Sequence, residues 1–153
     1  MITKERIREV QKRWADGIIK IGQLYKEKGD YVSFAKEFLK ELYNYDEGPV
    51  LFKPTKAKEK QFRLTFDEAL SYFIGGMIGE DKGFALEPWE NIEFEVTDDI
   101  IVENIAISQG NYYFTSGKTG EKIKVEFTFV YKLKDNKLKI IAHHSSIPFS
   151  ESR

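Results

Sequence analysis

The sequence predicts an α+β domain, with helices first and a curved antiparallel sheet after them. Two periods carry this prediction. From Ile7 to Leu42 apolar residues recur every three or four positions, as on one face of a helix. From Ile92 onward they alternate with charged or polar neighbours, as on a strand. A capping box between the two regions, Thr65-Phe66-Asp67-Glu68, marks the start of a further short helix.

Each element follows from local signals. Ile7, Val10, Trp14, Gly17, Ile21 and Leu24 form one stripe of a helix from about residue 3 to 28, with Gly29 as its stop. Asp30 is placed to cap a second helix whose buried stripe is Phe34, Phe38 and Leu42. Tyr43 to Pro49 is a loop, and Val50 to Lys53 a short strand stopped by Pro54. The capped helix runs from Phe66 to Ile74 and ends at Gly75-Gly76, and a glycine-bearing loop continues to Pro88. Ile92, Phe94 and Val96 open the alternating region. Ile101 to Ser108 is read as the next strand, with Gln109-Gly110 as a break before Tyr112 to Thr115. Gly117-Lys118-Thr119-Gly120 is a turn. Val125, Phe127, Phe129 and Tyr131 then alternate with polar or smaller neighbours, Asp135-Asn136-Lys137 makes a tight hairpin, and Leu138 to Ser146 pairs back. A long meander curved over a helix forms a cone whose mouth is a small pocket.

Composition narrows the function. At 153 residues the whole chain, 1–153, is expected to be one domain, with no linker or internal repeat. A net charge of -1, with lysines interleaved among acids, argues against a nucleic-acid partner. No apolar run approaches the ~18 residues of a membrane span, and no export or transit segment is visible, so a cytoplasmic location is expected. The triplet Tyr112-Tyr113-Phe114 places apolar side chains on both faces of its strand, and a second subunit covering one face makes a homodimer the expected assembly.

The chain has two histidines, both in one place, His143-His144-Ser145-Ser146 at the end of the last strand, and no cysteine. Four strings give this motif company: Tyr45 to Thr55 (YDEGPVLFKPT), Ala69 to Gly76 (ALSYFIGG), Asp81 to Trp89 (DKGFALEPW) and His143 to Pro148 (HHSSIP). In this order they resemble the iota-class carbonic anhydrases, over nearly the full chain. The domain order resembles the nuclear-transport-factor-like (SnoaL-like) cone fold, which includes the association domain of calcium/calmodulin-dependent kinase. The resemblance implies reversible hydration of CO2 to bicarbonate, in a family with both metal-free and metal-dependent members. It also implies that Thr55, Tyr72, His143 and Ser145 line the pocket.

The residues bear on the metal directly. A catalytic zinc site generally takes three protein ligands from His, Cys or acidic side chains. Two neighbouring histidines on a strand point to opposite faces, so at most one enters a given pocket. The metal-free form with no cofactor is therefore expected. Without zinc to bring the pKa of water down to about 7, a neutral histidine would serve as base. Thr, Ser and Tyr hydroxyls would hold water and orient CO2. Strand parity leaves two sets open. Leu138, Ile140 and Ala142 share parity with His144 and Ser146, whereas the resemblance selects His143 and Ser145; we take the latter as catalytic and keep His144 and Ser146 as substrate-contact candidates.

Other residues have plain structural roles available. Trp14 and Trp89 suit the core or an interface, Asp81-Lys82-Gly83 a turn, and Lys56 to Lys60 a solvated loop. Asp98, Asp99 and Glu103 read as turn or surface acids. Two other functions fit a cone: an isomerase or cyclase, which needs a pocket carboxylate as base, and a binding or oligomerisation module without chemistry.

Overall fold

The structure, a computed structural model, describes residues 1–151. Helix α1 (Lys4–Lys26) buries Ile7, Val10, Trp14, Ile18 and Ile21 along one stripe, and Thr3 caps it by accepting the Arg6 N–H. Its end differs in detail from the expectation. Lys28, not Gly29, takes the left-handed conformation (φ 62°); the Lys28 and Gly29 N–H groups close back on the Tyr25 and Leu24 carbonyls. Asp30 caps helix α2 (Tyr31–Leu42) through the Ser33 N–H. The two helices pack closely because Gly17 faces the Phe38 ring, which leaves no room there for a side chain. Helix α3 (Phe66–Ile74) starts at the capping box, complete with both of its reciprocal hydrogen bonds.

Five strands form one sheet in the order β1-β5-β4-β3-β2: β1 (Leu51–Lys53), β2 (Trp89–Val102), β3 (Ile105–Ser116), β4 (Lys122–Lys134) and β5 (Lys137–Ser146). The four long strands form the expected antiparallel meander. The short β1 joins β5 in parallel, which makes the sheet mixed. The helices cover the concave face, where Trp14, Tyr112, Phe114, Phe127 and Phe129 meet as one aromatic core. Among the described residues no helix is long and apolar enough to cross a membrane.

The expected break at Gln109-Gly110 is not a break. The turn falls at Glu103-Asn104, with Glu103 at φ 54°, and β3 runs through Gly110. Gly110 lies opposite a bulge in β2 between Val96 and Asp98, where a Cβ would collide with the Glu95 carbonyl. The Tyr112-Tyr113-Phe114 triplet does place side chains on both faces of its strand. Tyr112 and Phe114 enter the core, whereas Tyr113 lies on the outer face, donates to Glu95 Oε1 (2.9 Å) and is covered by Lys122.

A second bulge decides the site. In the β4–β5 ladder Tyr131 pairs with Ile140 but Val130 pairs with Ala142, so Ile141 is the extra residue. One extra residue reverses which face each following side chain meets. Leu138 and Ile140 are buried before the bulge; His143 and Ser145 are buried after it.

Candidate active site

Four of the six sequence candidates come together. Thr55 follows β1 and Pro54, Tyr72 projects from α3, and His143 and Ser145 face inward from β5. Thr55 Oγ1 and Ser145 Oγ are 2.5 Å apart. The Tyr72 phenol oxygen accepts the Lys56 N–H at 3.1 Å and lies beside the Thr55 hydroxyl. His144 and Ser146 are not in this group. Past the Ile141 bulge they alternate onto the outer face, where His144 is exposed and Ser146 donates to Glu126 Oε1 (2.9 Å).

Two residues absent from the sequence candidates complete the site. The Tyr112 phenol bridges His143 Nε2 (3.0 Å) and Ser145 Oγ (2.5 Å). The Tyr43 phenol meets His143 Nδ1 (2.9 Å) and accepts the Trp14 indole N–H (2.9 Å). Their signal in the sequence was only that a buried tyrosine needs a partner for its hydroxyl. The His143 ring stacks between Phe52 (4.9 Å between centroids) and Phe129 (3.9 Å).

These contacts fix the direction of the hydrogen bonds. An indole N–H only donates, so the Tyr43 oxygen is an acceptor toward Trp14. Its own proton then goes to its remaining partner, His143 Nδ1. The neutral imidazole thus carries its proton on Nε2 and donates to Tyr112; Tyr112 donates to Ser145, and Ser145 to Thr55. The protons of Thr55 and Tyr72 are left for each other or for a ligand. Reversing the chain would leave the Tyr43 proton buried without an acceptor.

Charge is absent from this chain. Burial drives the His143 pKa well below the usual imidazole range, and the neighbouring His144 pushes the same way. Burial raises the Tyr43, Tyr72 and Tyr112 phenols, opposed by the hydrogen bonds with Trp14, with Lys56 and Thr55, and with Ser145 respectively. All stay neutral at physiological pH.

Two neighbouring spaces with Tyr72 and Phe84 in common adjoin the hydroxyls. The inner one, about 10 Å³ between Thr55, Tyr72, Tyr112, His143 and Ser145, is close to the room one water needs. The outer one, about 350 Å³, is lined by Lys56, Tyr72, Glu80, Asp81, Lys82, Phe84 and Glu87. Tyr72 and Phe84, stacked at 5.5 Å, wall both.

The loops around the mouth are clamped. Arg63, fully buried, makes a bidentate pair with Asp81 (2.7 and 2.8 Å), and Ser71 donates to Asp81 Oδ2 (2.6 Å). Glu80 accepts the N–H groups of Lys58, Glu59 and Lys60. The solvated loop and the turn expected at these positions are therefore tied together. Asp99, expected as a surface acid, is buried at the other end of the cone, paired with Arg8 and Ser108. Among the described residues no three His, Cys, Asp or Glu side chains gather in a metal-holding arrangement.

A cone whose buried hydroxyls and one neutral imidazole converge on a water-sized cavity defines a class: an enzyme that acts on a small molecule through oriented hydroxyl dipoles. The sequence matches a family described as metal-independent carbonic anhydrase over residues 5–147, and the chain belongs to that family. The metal-independent carbonic anhydrase of Nostoc sp. (strain PCC 7120 / SAG 25.82 / UTEX 2576) is 38% identical, over 98% of this chain and 76% of its own length. The crystal structure of a cyanobacterial iota-carbonic anhydrase complexed with bicarbonate superposes with a TM-score of 0.94 at 36% identity, covering 98% of this chain and 94% of that one. A calcium/calmodulin-dependent protein kinase II association-domain protein from Xanthomonas campestris matches in fold alone, with a TM-score of 0.67 at 19% identity over 97% of this chain and 89% of that one. The cone is the nuclear-transport-factor-2-like fold.

Proposed function

We propose that this chain catalyses the reversible hydration of CO2 to bicarbonate without a metal. The observation that carries the proposal is the one-way hydrogen-bond chain ending at Thr55 and Tyr72 beside a water-sized cavity. A water held there has its lone pairs and protons oriented before CO2 arrives, which removes part of the entropic barrier. As the water oxygen bonds to carbon, one C=O electron pair moves onto oxygen. The Tyr72 and Thr55 O–H groups are aimed to stabilise that charge. Each is backed by donors: Thr55 by Ser145, Tyr112 and His143, Tyr72 by the Lys56 N–H. Among the described residues no carboxylate lines the inner cavity, which disfavours an enolising isomerase.

In this reading His143 is a neutral link that aligns Tyr112 and not the base expected from sequence, because both its nitrogens are occupied and its charged form is strongly disfavoured. The test is CO2 hydration by stopped flow after exhaustive chelation, with Thr55→Ala, Tyr72→Phe and Ser145→Ala. Activity is expected to survive chelation and to fall in all three variants. Loss on chelation with recovery on adding zinc or manganese would overturn the metal-free mechanism, and full activity in all three variants would overturn the site.

A homodimer through the outer sheet face is part of the same proposal. Leu51, Phe62 and Leu64 are 65%, 59% and 41% exposed there and border a hollow with Ala142 and His144. Sedimentation at micromolar concentration is expected to give a dimer; a monomer would remove this assembly.

A further inference from the structure

Hydration of CO2 yields a proton as well as bicarbonate, and the hydroxyl chain has no place for it. Every link already donates toward the mouth, and the one basic group in the chain, His143, would have to become a cation between two aromatic rings with both nitrogens bonded. The outer cavity, which shares Tyr72 and Phe84 with the inner one, is the space beside the site that holds charged groups. The charged groups facing that cavity are Lys56, Glu80, Asp81, Lys82 and Glu87. The lysines are cations and cannot accept. Asp81 is held by both arms of Arg63 and by Ser71. Glu80 is filled by three backbone N–H groups, with Arg63 3.8 Å away. Glu87 differs. One oxygen accepts from Ser116 Oγ (2.7 Å); the residue is half-buried, lines the cavity and makes no ion pair among the described residues.

Resting on the CO2 reading above, we infer that Glu87 is the proton relay of this enzyme, the carboxylate that takes the proton from the site's water through the outer cavity and passes it to buffer. The balance is complete: one O–H bond of water breaks as its oxygen bonds to carbon, bicarbonate forms, and the proton moves across cavity water to the Glu87 carboxylate and then outward. Ser116 holds the carboxylate in place while leaving one oxygen to receive.

Glu87→Gln keeps the shape and the Ser116 contact but cannot accept a proton. In weak buffer its kcat is expected to fall on the order of 10²-fold, the lower end of what a positioned proton acceptor contributes. Added imidazole should restore it, while the isotope-exchange rate between CO2 and bicarbonate at equilibrium stays at the wild-type value. Glu87→Asp should show an intermediate buffer dependence. Lys82→Gln, on the same cavity, should show none. A loss in Glu87→Gln that buffer does not rescue, or that lowers the exchange rate equally, would overturn the relay, as would an unchanged kcat in weak buffer. An inactive wild-type protein would overturn the CO2 reading and the relay together; an active one with either of those Glu87 results overturns the relay alone.

Discussion

Removing one oxygen atom, in Tyr112→Phe, separates the hydroxyl chain from mere packing. The Tyr112 ring lies stacked on Trp14 at 5.5 Å and packs edge-on to Phe114, so phenylalanine keeps the volume and opens no cavity. What is lost is the acceptor of the His143 Nε2–H and the donor to Ser145. A buried donor left without a partner costs about 1–3 kcal/mol. At roughly 2–4 °C per kcal/mol for a domain of this size, a 2 kcal/mol loss lowers Tm by about 4–8 °C. Tyr131→Phe is the control. Tyr131 is equally buried on the neighbouring strand, and its phenol accepts from Gln11 (3.1 Å) at the far end of the core. Its stability loss should be similar. In stopped-flow CO2 hydration Tyr112→Phe is expected to lose on the order of 10-fold in kcat, less than the 10²–10³ of a donor touching the reacting atoms, because Tyr112 acts through Ser145. Tyr131→Phe should lose nothing. If Tyr112→Phe keeps kcat within about twofold of wild type at its lowered Tm, the chain is structural and does not transmit polarisation to Thr55.

The neutral burial of His143 has a pH signature. Its native pKa lies below the unfolded value near 6.5, so below that pH the unfolded chain binds a proton that the native protein refuses, and stability falls as pH falls. Urea unfolding between pH 7.5 and 5 should show a slope approaching about 1.4 kcal/mol per pH unit below 6.5, absent in His143→Gln; a flat wild-type curve would contradict the assigned protonation state. For the assembly, Leu51→Lys with Phe62→Lys places two charges on the exposed outer patch and should yield a folded monomer by sedimentation. An unchanged dimer would move the interface elsewhere.

The parts of the fold that the sequence made legible are those decided within a turn of helix or a hairpin. The stripe of α1, the Thr65–Glu68 box and the alternation of Val125, Phe127, Phe129 and Tyr131 each depend on neighbours within a few residues. What escaped depends on partners far away. Nothing near Leu51 signals that β1 will lie parallel to β5, about ninety positions on. Gly110 reads as a break until β2 is laid beside it, when it becomes the residue that leaves room for the Glu95 carbonyl. Asp81 reads as part of a turn, and nothing near Arg63 marks it as a buried cation; only the fold brings the two to 2.7 Å and buries both.

The site shows the same limit more sharply. Thr55, Tyr72, His143 and Ser145 came from resemblance, while alternation along β5 selected His144 and Ser146. The two conflict only if β5 is regular. It is not: Ile141 is inserted, so alternation counted from Leu138 and Ile140 fails beyond it. The run Ile140-Ile141-Ala142, three apolar residues together, is where strict alternation already lapses in the sequence, and it marks the bulge. The bulge also explains why the two adjacent histidines have such different surroundings. One extra residue turns His143 into the aromatic core, where Tyr43 and Tyr112 hold it neutral and in one tautomer, and leaves His144 exposed on the outer face. An imidazole so enclosed is unsuited to accept a proton and well suited to orient a hydroxyl, and that places proton release at the carboxylate of the mouth.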